Sequence, residues 1–316
     1  MAASEETLDS LVGSFAYAAT SKSTKSTYRS QLAAYYKFCE RYGYTPVPAS
    51  SVTLCRYIAY LSLTLKPTSI QQYLGVIRLV HNCCGLPNPL ENDYQIKSVL
   101  KGVRRVKGNL VNRKLPMTLD ILLGIKSCLE LKLSHDASFW AVCLIAFFGM
   151  LRKSSLFPPK EAHPLCVSNV KVFTWGISMS FSYSKTVQCM DRLPMVSLPW
   201  NPSRNLCPAT ALLRAWKLAG VSTPEQPLFP VLVGGYAMPL SKTAFAKQLG
   251  QVMDKLGLIG YSGHSFRRGG ATHALKAGVP AEVIKAQGDW KSLAYLDYLD
   301  LDEAKTRASA ISFMYT

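Results

Sequence analysis

The stretch GHSFRRGGATHALKAGVPAEVIKAQGDWKSLAYLDY, residues 263–298, decides how the rest of the chain is interpreted. His264 and Arg267 are three residues apart, so on a helix they share one face. A Gly-Asp-Trp sequence follows them, and Tyr295 and Tyr298 come next. A basic cluster, an indole and a tyrosine together indicate chemistry on a phosphate group, with a tyrosine as the nucleophile.

The composition of the whole chain is that of a basic globular protein. Its 316 residues are 48% hydrophobic and 17% charged, which excludes a disordered chain, and they suffice for two ordinary domains. The net charge of +17 favours a polyanionic partner, either nucleic acid or an anionic membrane surface. The net charge is +9 up to Lys114 and +8 beyond it. Both halves are therefore basic, as a clamp around one DNA duplex would be.

The apolar runs and the N-terminal residues indicate an intracellular protein. The longest apolar run, residues 139–151, is too short to cross a membrane and suits a buried helix. The first ten residues, MAASEETLDS, are polar and acidic, unlike a secretory signal. We therefore expect no membrane partner.

The cysteines and carboxylates favour neither a metal nor a cofactor. Most of the nine cysteines lie in apolar runs, as Cys55 and Cys143 do, which is typical of buried thiols in a reducing compartment. Cys83 and Cys84 lie close to His81, but no second pair has the spacing of a zinc site. The sequence has no Walker-type Gly-Lys motif and no obvious carboxylate cluster. We expect no metal and no cofactor.

Residues 1–112 are predicted to form a small all-helical domain. Capping residues, apolar stripes and proline breaks predict four helices after an N-terminal segment that is either a helix or a loose arm. The polar linker GNLVNRK places the boundary near residue 112. Six basic residues are candidates for contacts with DNA phosphates, and the alternative is that they form a solvated face. They lie at the start of the first predicted helix and at the end of the fourth: Lys22, Lys25, Arg29, Lys101, Arg104 and Arg105.

Residues 113–316 are predicted to combine helices with a small antiparallel sheet. Arg152 follows a strongly apolar helix, where a charge must pair, face a ligand or reach the surface. Lys185 is predicted near the turn of a hairpin, where taken alone it is an ordinary solvated lysine. Residues 221–239, rich in proline and glycine, are predicted to be a loop. The strands are predicted at residues 170–173, 177–183 and 195–198.

The chain resembles the tyrosine recombinase, or phage integrase, family at six positions in order: Arg152, Lys185, His264, Arg267, Trp290 and Tyr298. The matching segments are GMLRKSS, SYSKT, GHSFRRGG and GDWKS, the last at the turn where the family carries His or Trp. The resemblance covers nearly the whole chain. It implies a mainly α fold with a small antiparallel sheet, a helical core-binding domain over 1–112, and a catalytic domain with a C-terminal docking segment over 113–316. The sequence is most similar to recombinases of eukaryotic mobile elements of the DIRS, Ngaro and Crypton kinds.

The resemblance also implies a role for each of these residues. Arg152 and Arg267 would clamp the phosphoryl oxygens, supplying the electrostatic stabilisation that a metal supplies elsewhere. His264 would donate a hydrogen bond or shuttle a proton. Trp290 would offer its indole N–H and a packing wall. Lys185 would protonate the departing 5′ oxygen as the general acid.

Three further positions bear on how closely the chain matches the family: Tyr295, Arg268 and Ser155. Tyr298, eight residues after Trp290, falls where the family has its nucleophile, and Tyr295 is the alternative. Arg268 is a candidate phosphate contact or a surface charge. The family usually has an acidic residue three positions after its first arginine, and Ser155 stands there in this chain.

The resemblance implies a site-specific recombinase that cuts and rejoins DNA through a 3′-phosphotyrosine intermediate and moves or integrates a mobile element. Type IB topoisomerase-like nicking and rejoining is one alternative, and a domesticated DNA-binding protein without cleavage is another. The expected partners are double-stranded DNA and further copies of the chain, as a tetramer in the synaptic complex. No small-molecule substrate is expected. In a eukaryote the protein would act in the nucleus.

Overall fold

The computed structural model describes most of the chain, namely residues 4–108, 114–159, 162–181, 193–292 and 295–296. Contacts within the chain divide it into two compact units, Met1–Asn112 and Arg113–Thr316. The elements are mainly helices, with small antiparallel sheets in the second unit, so the predicted fold class is confirmed. In the described part of the chain, no helix combines the length and the apolar character needed to cross a lipid bilayer.

The first unit contains five described helices: α1 (Glu5–Ala18), α2 (Lys22–Tyr42), α3 (Ser51–Ser62), α4 (Pro67–Cys83) and α5 (Tyr94–Lys107). Four of them begin where a side-chain oxygen accepts a backbone N–H of the first turn, and the capping residues are Ser4, Ser21, Ser50 and Asp93. The N-terminal segment, predicted as a helix or a loose arm, is the helix α1. None of the residues of α1 is buried.

Aromatic rings and one histidine hold the first unit together. The ring centroid of Phe38 lies 4.8 Å from that of Tyr57, and the ring centroid of Tyr35 lies 5.0 Å from that of Tyr57. The buried His81 bonds through both ring nitrogens. Its Nδ1 lies 2.8 Å from a carbonyl oxygen one turn earlier in α4, and the backbone N–H of Ala49 donates to its Nε2 at 2.9 Å. His81 therefore ties α4 to the segment that leads into α3.

The second unit is built around the apolar helix α7. Its described helices are α6 (Leu119–Ser127), α7 (Ser134–Phe148), α8 (Lys153–Leu156), α9 (Pro208–Leu218), α10 (Lys242–Lys255), α11 (Gly263–Lys276) and α12 (Ala281–Gln287). All eleven residues of α7 from Ala137 to Phe147 are buried, because α9, α11 and the strand Pro230–Val233 pack around the helix. This burial explains the apolar run of the sequence, which has no polar face.

Two small antiparallel sheets complete the second unit. The first pairs β1 (Val170–Phe173) with β2 (Gly176–Ser180) and β2 with β3 (Met195–Pro199). The second is a hairpin of β4 (Pro230–Val233) and β5 (Tyr236–Pro239).

The β4–β5 hairpin shows that the prediction of a loop over residues 221–239 is wrong in its second half. Gly234 and Gly235 have φ of 57° and 85°, which a two-residue hairpin turn of this hand requires and which glycine adopts without strain. The alternation of apolar residues is weak because much of the hairpin is exposed. The Gly-Gly pair was the usable signal.

Candidate active site

An open cleft lies in the second unit, between the end of α7, the strands β2 and β3, α11 and the end of α12. Its lining includes two arginines, Arg152 and Arg267, that the sequence predicts to act together. The remaining lining residues are Leu151, Ser155, Phe181, Pro194, Met195, Val196, Ala286, Gln287, Gly288 and Asp289.

Arg152 reaches the cleft because α7 ends in a tight reversal. The N–H of Met150 donates to the carbonyl of Phe147, and the N–H of Leu151 donates to the carbonyl of Ala146, each at 3.1 Å. This is the Schellman pattern, and it requires a left-handed residue, which here is Met150 with φ of 49°. The chain then enters α8, with Arg152, whose side chain is largely buried, as its N-cap residue.

Two adjacent glycines bring α11 against neighbouring backbone. A Cβ on Gly270 would lie 1.9 Å from the carbonyl oxygen of Phe147, and one on Gly269 would lie 2.0 Å from that of Met117. Any side chain at these positions would force the helix away, because the obstructing atoms are backbone. The close approach places Arg267, one turn earlier on α11, beside the end of α7. Sequence reasoning used these glycines only as part of a motif and missed this role.

Arg267 is held from two sides although its side chain is completely buried. Its Nη1 donates to the carbonyl oxygen of Met150 at 2.5 Å. Its Cζ lies 3.6 Å from the centroid of the Trp290 ring, a cation–π contact. A buried guanidinium is costly unless it is paired in this way, so these contacts fix the group in one position at the cleft.

Trp290 owes its position to the end of α12. Gly288 leaves room for the indole, since a Cβ there would lie 1.6 Å from Cζ3 of Trp290. Asp289 has φ of 54°, and the N–H of Trp290 donates to the carbonyl of Lys285 at 3.0 Å. The end of α12 therefore repeats the reversal seen at the end of α7. The end of α7 delivers Arg152 to the cleft, and the end of α12 delivers Trp290 to Arg267, which lines the cleft.

Arg152 and Asp289 form an ion pair that the sequence analysis missed. Arg152 Nη1 lies 3.5 Å from Asp289 Oδ2, and the two side chains are 18% and 14% exposed. The contact joins the end of α7 to the end of α12, which are far apart in sequence. The one local sign of this contact in the sequence was Asp289 itself, directly after Gly288. The residue that follows a helix end in the left-handed conformation is usually glycine. Ser155, three residues after Arg152, is buried and lines the cleft.

The remaining predicted catalytic residues are only partly placed. His264 is exposed near the start of α11, one turn before Arg267 and on the same helical face. Lys185 and Tyr298 lie outside the described residues, so their roles stay predictions. Phe181 precedes Lys185 in the chain and Pro194 follows it, and both of these residues line the cleft.

Tyr295 and His273 pack in the core. Tyr295 is buried, with its ring centroid 6.4 Å from that of Trp290. His273 lies 5.7 Å from the ring of Phe147, and burial lowers the pKa of its imidazole. Its charged form is therefore disfavoured near neutral pH, which fits a packing role. Arg268 donates from Nη1 to the carbonyl of Lys114 at 3.0 Å.

The candidate DNA-contacting residues of the first unit lie on α2 and α5. Lys22 and Arg29 are exposed on α2. Lys25 donates to the carbonyl of Tyr17 and lies 2.9 Å from the centroid of that ring, so α1 already engages it. Three exposed residues close to the end of α5 form a basic group, Lys101, Arg104 and Arg105. Contacts of all these residues with DNA remain predictions.

Comparison with known proteins gives one curated relative and several structural neighbours. No protein-family model matches the chain. The chain is 24% identical over 265 residues to an "Integrase/recombinase xerD homolog" of Selenomonas ruminantium, an alignment that covers 81% of this chain and 74% of that protein.

Three solved structures share the fold. The Tn1549 transposon integrase in complex with transposon right end DNA has a TM-score of 0.64 at 13% identity, covering 94% of this chain and 95% of that one. A lambda integrase dimer bound to a core site has a TM-score of 0.59 at 14% identity, covering 93% and 94%. The XerH recombinase in a post-cleavage complex also has 0.59 at 14% identity, covering 83% and 72%.

The sequence relative, the shared fold and the cleft that joins Arg152 to Arg267 agree with the resemblance in the sequence. The chain is therefore similar in sequence to an integrase/recombinase and shares the fold of solved integrases and recombinases.

Proposed function

We propose that this protein is a site-specific DNA recombinase that cuts and rejoins DNA through a covalent 3′-phosphotyrosine and moves or integrates a mobile element. The observation that carries the proposal is the pair of guanidinium groups in one cleft. Arg267 is fixed by the Met150 carbonyl and the Trp290 ring, and Arg152 is fixed by Asp289. The curated relative is an integrase/recombinase, which supports the same function.

The two arginines suit a phosphodiester undergoing in-line attack. Negative charge grows on the non-bridging oxygens as the attacking oxygen approaches, and forked guanidinium donors stabilise that charge. Because Arg267 is buried and braced, little reorganisation is needed when the phosphate binds. His264, exposed one turn before Arg267 on the same face of α11, would add a hydrogen bond to the bound group.

The covalent step uses two residues outside the described part of the chain. The phenolic oxygen of Tyr298 would attack the phosphorus, forming a phosphotyrosine bond while the bond to the 5′ oxygen breaks. Lys185 would give its proton to that departing oxygen. A 5′-hydroxyl from another strand would reverse the step and release the tyrosine. The phosphotyrosine bond retains the energy of the cleaved phosphodiester bond, so rejoining the strands needs no nucleotide cofactor.

Binding of double-stranded DNA is the second part of the proposal. The net charge of +17 is shared by both halves, and α5 carries the exposed basic group Lys101, Arg104 and Arg105. Structural neighbours are complexes with DNA, which supports the same partner here. A tetramer on DNA, action in the nucleus and origin from a DIRS-, Ngaro- or Crypton-type element are further parts of the proposal, and they rest on the resemblance in sequence.

A suicide-substrate assay tests the proposal. Nicked duplexes tiled across the DNA that flanks the coding sequence would be incubated with the protein and separated under denaturing conditions. We expect a covalent protein–DNA band with the wild type and with Tyr295→Phe variants that fold, and none with Tyr298→Phe. If all proteins bind these duplexes and no band forms, the protein is a DNA-binding protein without cleavage.

A plasmid assay separates recombination from topoisomerase-like activity. Two plasmids, each carrying the duplex that gave the covalent band, would be incubated together with the wild type. Joint plasmid molecules are the expected product. Relaxation of each plasmid without joint molecules would favour the type IB topoisomerase-like alternative.

A further inference from the structure

The ion pair between Arg152 and Asp289 faces the cleft in which the proposed chemistry takes place. The carboxylate oxygen Oδ2 lies 3.5 Å from Nη1, and both side chains are more than four-fifths buried. Among the described residues that line the cleft, Asp289 alone carries a carboxylate. A negative charge beside the binding place of an anionic phosphate opposes binding, so its presence calls for a reason.

The backbone of Asp289 gives no such reason. Asp289 is the left-handed residue that closes α12, with φ of 54°. Its N–H donates to the carbonyl of Ala286 at 3.1 Å, as the Schellman pattern requires. Glycine fills this position without strain, whereas any L residue costs about 1 kcal/mol there. The strained position is thus occupied by a carboxylate, and that carboxylate contacts an arginine of the cleft.

The chemistry of a guanidinium shows what the contact achieves. Arginine has five N–H donors in a rigid fork, and Asp289 engages it at Nη1. The ion pair thereby restricts the torsions of a long side chain and holds its Nη1 at the cleft. Ser155 lines the same cleft three residues after Arg152 but is uncharged, so it cannot hold the guanidinium in this way.

We propose that Asp289 is a positioning residue for DNA strand cleavage: it holds the guanidinium of Arg152 in the orientation that the transition state needs. This inference rests on the proposed function of the cleft. The carboxylate lowers ground-state affinity for the phosphate by like-charge repulsion and raises the cleavage rate by orienting Arg152. Its removal therefore slows cleavage without weakening DNA binding, a combination that damage to the fold would not produce.

The test compares Asp289→Asn and Asp289→Gly with the wild type on the nicked duplex that gives the covalent band. The cleavage rate at saturating DNA and the affinity for the duplex are measured separately. We expect both variants to cleave roughly 10- to 100-fold more slowly, as misplacement of a catalytic group does, with affinity equal or tighter. Asp289→Gly relieves the backbone, so slow cleavage in that variant isolates the carboxylate. Asp254→Asn, an exposed carboxylate near the end of α10, is the matched control and should cleave as the wild type does.

A rescue variant separates positioning from other roles. Ser155→Asp places a carboxylate three residues from Arg152, within reach of its side chain on a helical turn. In the Asp289→Asn background, it should restore cleavage at least several-fold. Unchanged cleavage in Asp289→Asn, or a loss of affinity as large as the loss of rate, would overturn the inference.

A measurement without DNA keeps the inference separate from the proposed function. Thermal unfolding of the full chain would be compared for Arg152→Met, Asp289→Asn and the double variant. Non-additive shifts in melting temperature are expected, because both single variants break the same pair. Additive shifts would refute the pair itself. If no DNA is ever cleaved but the shifts are non-additive, the proposed function fails while the structural contact stands, and Asp289 then has no positioning role in cleavage.

Discussion

Replacement of Gly270 by alanine perturbs the contact that brings α11 to the cleft. The new Cβ would lie 1.9 Å from the carbonyl oxygen of Phe147 and 3.0 Å from the carbonyl carbon of the same residue. Both are backbone atoms at the end of α7, so no rotamer change relieves the clash. To reach even 3.0 Å from the oxygen, α11 must retreat by about 1.1 Å.

That displacement sets the expected loss of stability and of cleavage rate in the Gly270→Ala variant. Overpacking of this kind costs about 1–3 kcal/mol, partly offset by the gain of about 0.5–1 kcal/mol for alanine over glycine in a helix. The net loss is at most about 2.5 kcal/mol, which lowers the melting temperature of a unit of this size by up to roughly 10 °C. The larger effect is on Arg267, one turn away, whose hydrogen bond to the Met150 carbonyl would be broken or stretched. A displacement of about 1 Å costs roughly 100-fold in rate.

Gly250→Ala is the matched control. Gly250 lies within α10, and a Cβ there would have nothing within 4 Å. It should stabilise the protein by about 0.5–1 kcal/mol and leave cleavage unchanged. Thermal unfolding and covalent-complex formation on the nicked duplex would be measured for both variants. If Gly270→Ala melts at or above the wild-type temperature and cleaves at the wild-type rate, close packing of α11 does not position the site.

Two further predictions concern the first unit. Tyr35→Phe should destabilise the protein by about 0.5–1.5 kcal/mol in urea unfolding because the hydroxyl donates to the carbonyl of Pro46 at 3.0 Å. Tyr57→Phe should be neutral or stabilising, since the Tyr57 hydroxyl is buried and has no hydrogen-bond partner in the described part of the chain; a larger loss for Tyr57→Phe would contradict this assignment. The second prediction replaces three residues of α5 by alanine together: Lys101, Arg104 and Arg105. Fluorescence anisotropy should show that the slope of log affinity for duplex DNA against log salt concentration falls by nearly three, at ~0.9 per phosphate contact. An unchanged slope would show that these residues do not contact phosphates.

Local signals allowed most of the fold to be predicted. Helix caps such as Ser21 and Asp93 and the apolar run of α7 are properties of short segments, so they can be read without knowing the tertiary structure. The β4–β5 hairpin was missed because its exposed strands alternate weakly, although Gly234 and Gly235 marked its turn. The proline and glycine content of residues 221–239 favoured a loop, whereas the Gly-Gly pair indicated a hairpin turn.

The candidate site could be predicted only in part. The spacing of His264 and Arg267 and the position of Arg152 after an apolar helix are visible in the sequence. The carbonyl of Met150 as partner of Arg267 and the carboxylate of Asp289 as partner of Arg152 are tertiary contacts between distant segments. No periodicity or local propensity encodes them.

The two helix ends explain why these contacts form. Each places a non-glycine residue in the left-handed conformation, Met150 after α7 and Asp289 after α12. Such residues concentrate at functional sites, where the surrounding structure offsets their strain. In a sequence, a helix that ends in glycine followed by a bulky or charged residue is therefore a useful pointer to a site.

Mass spectrometry of the trapped covalent complex identifies the residue that attacks the DNA. The wild type would be trapped on the nicked duplex, digested with nuclease and protease, and searched for peptides that carry a nucleotide. We expect one modified peptide, with the nucleotide joined through its 3′ phosphate to the phenolic oxygen of Tyr298. A nucleotide on Tyr295, on another residue or joined through a 5′ phosphate would contradict this expectation.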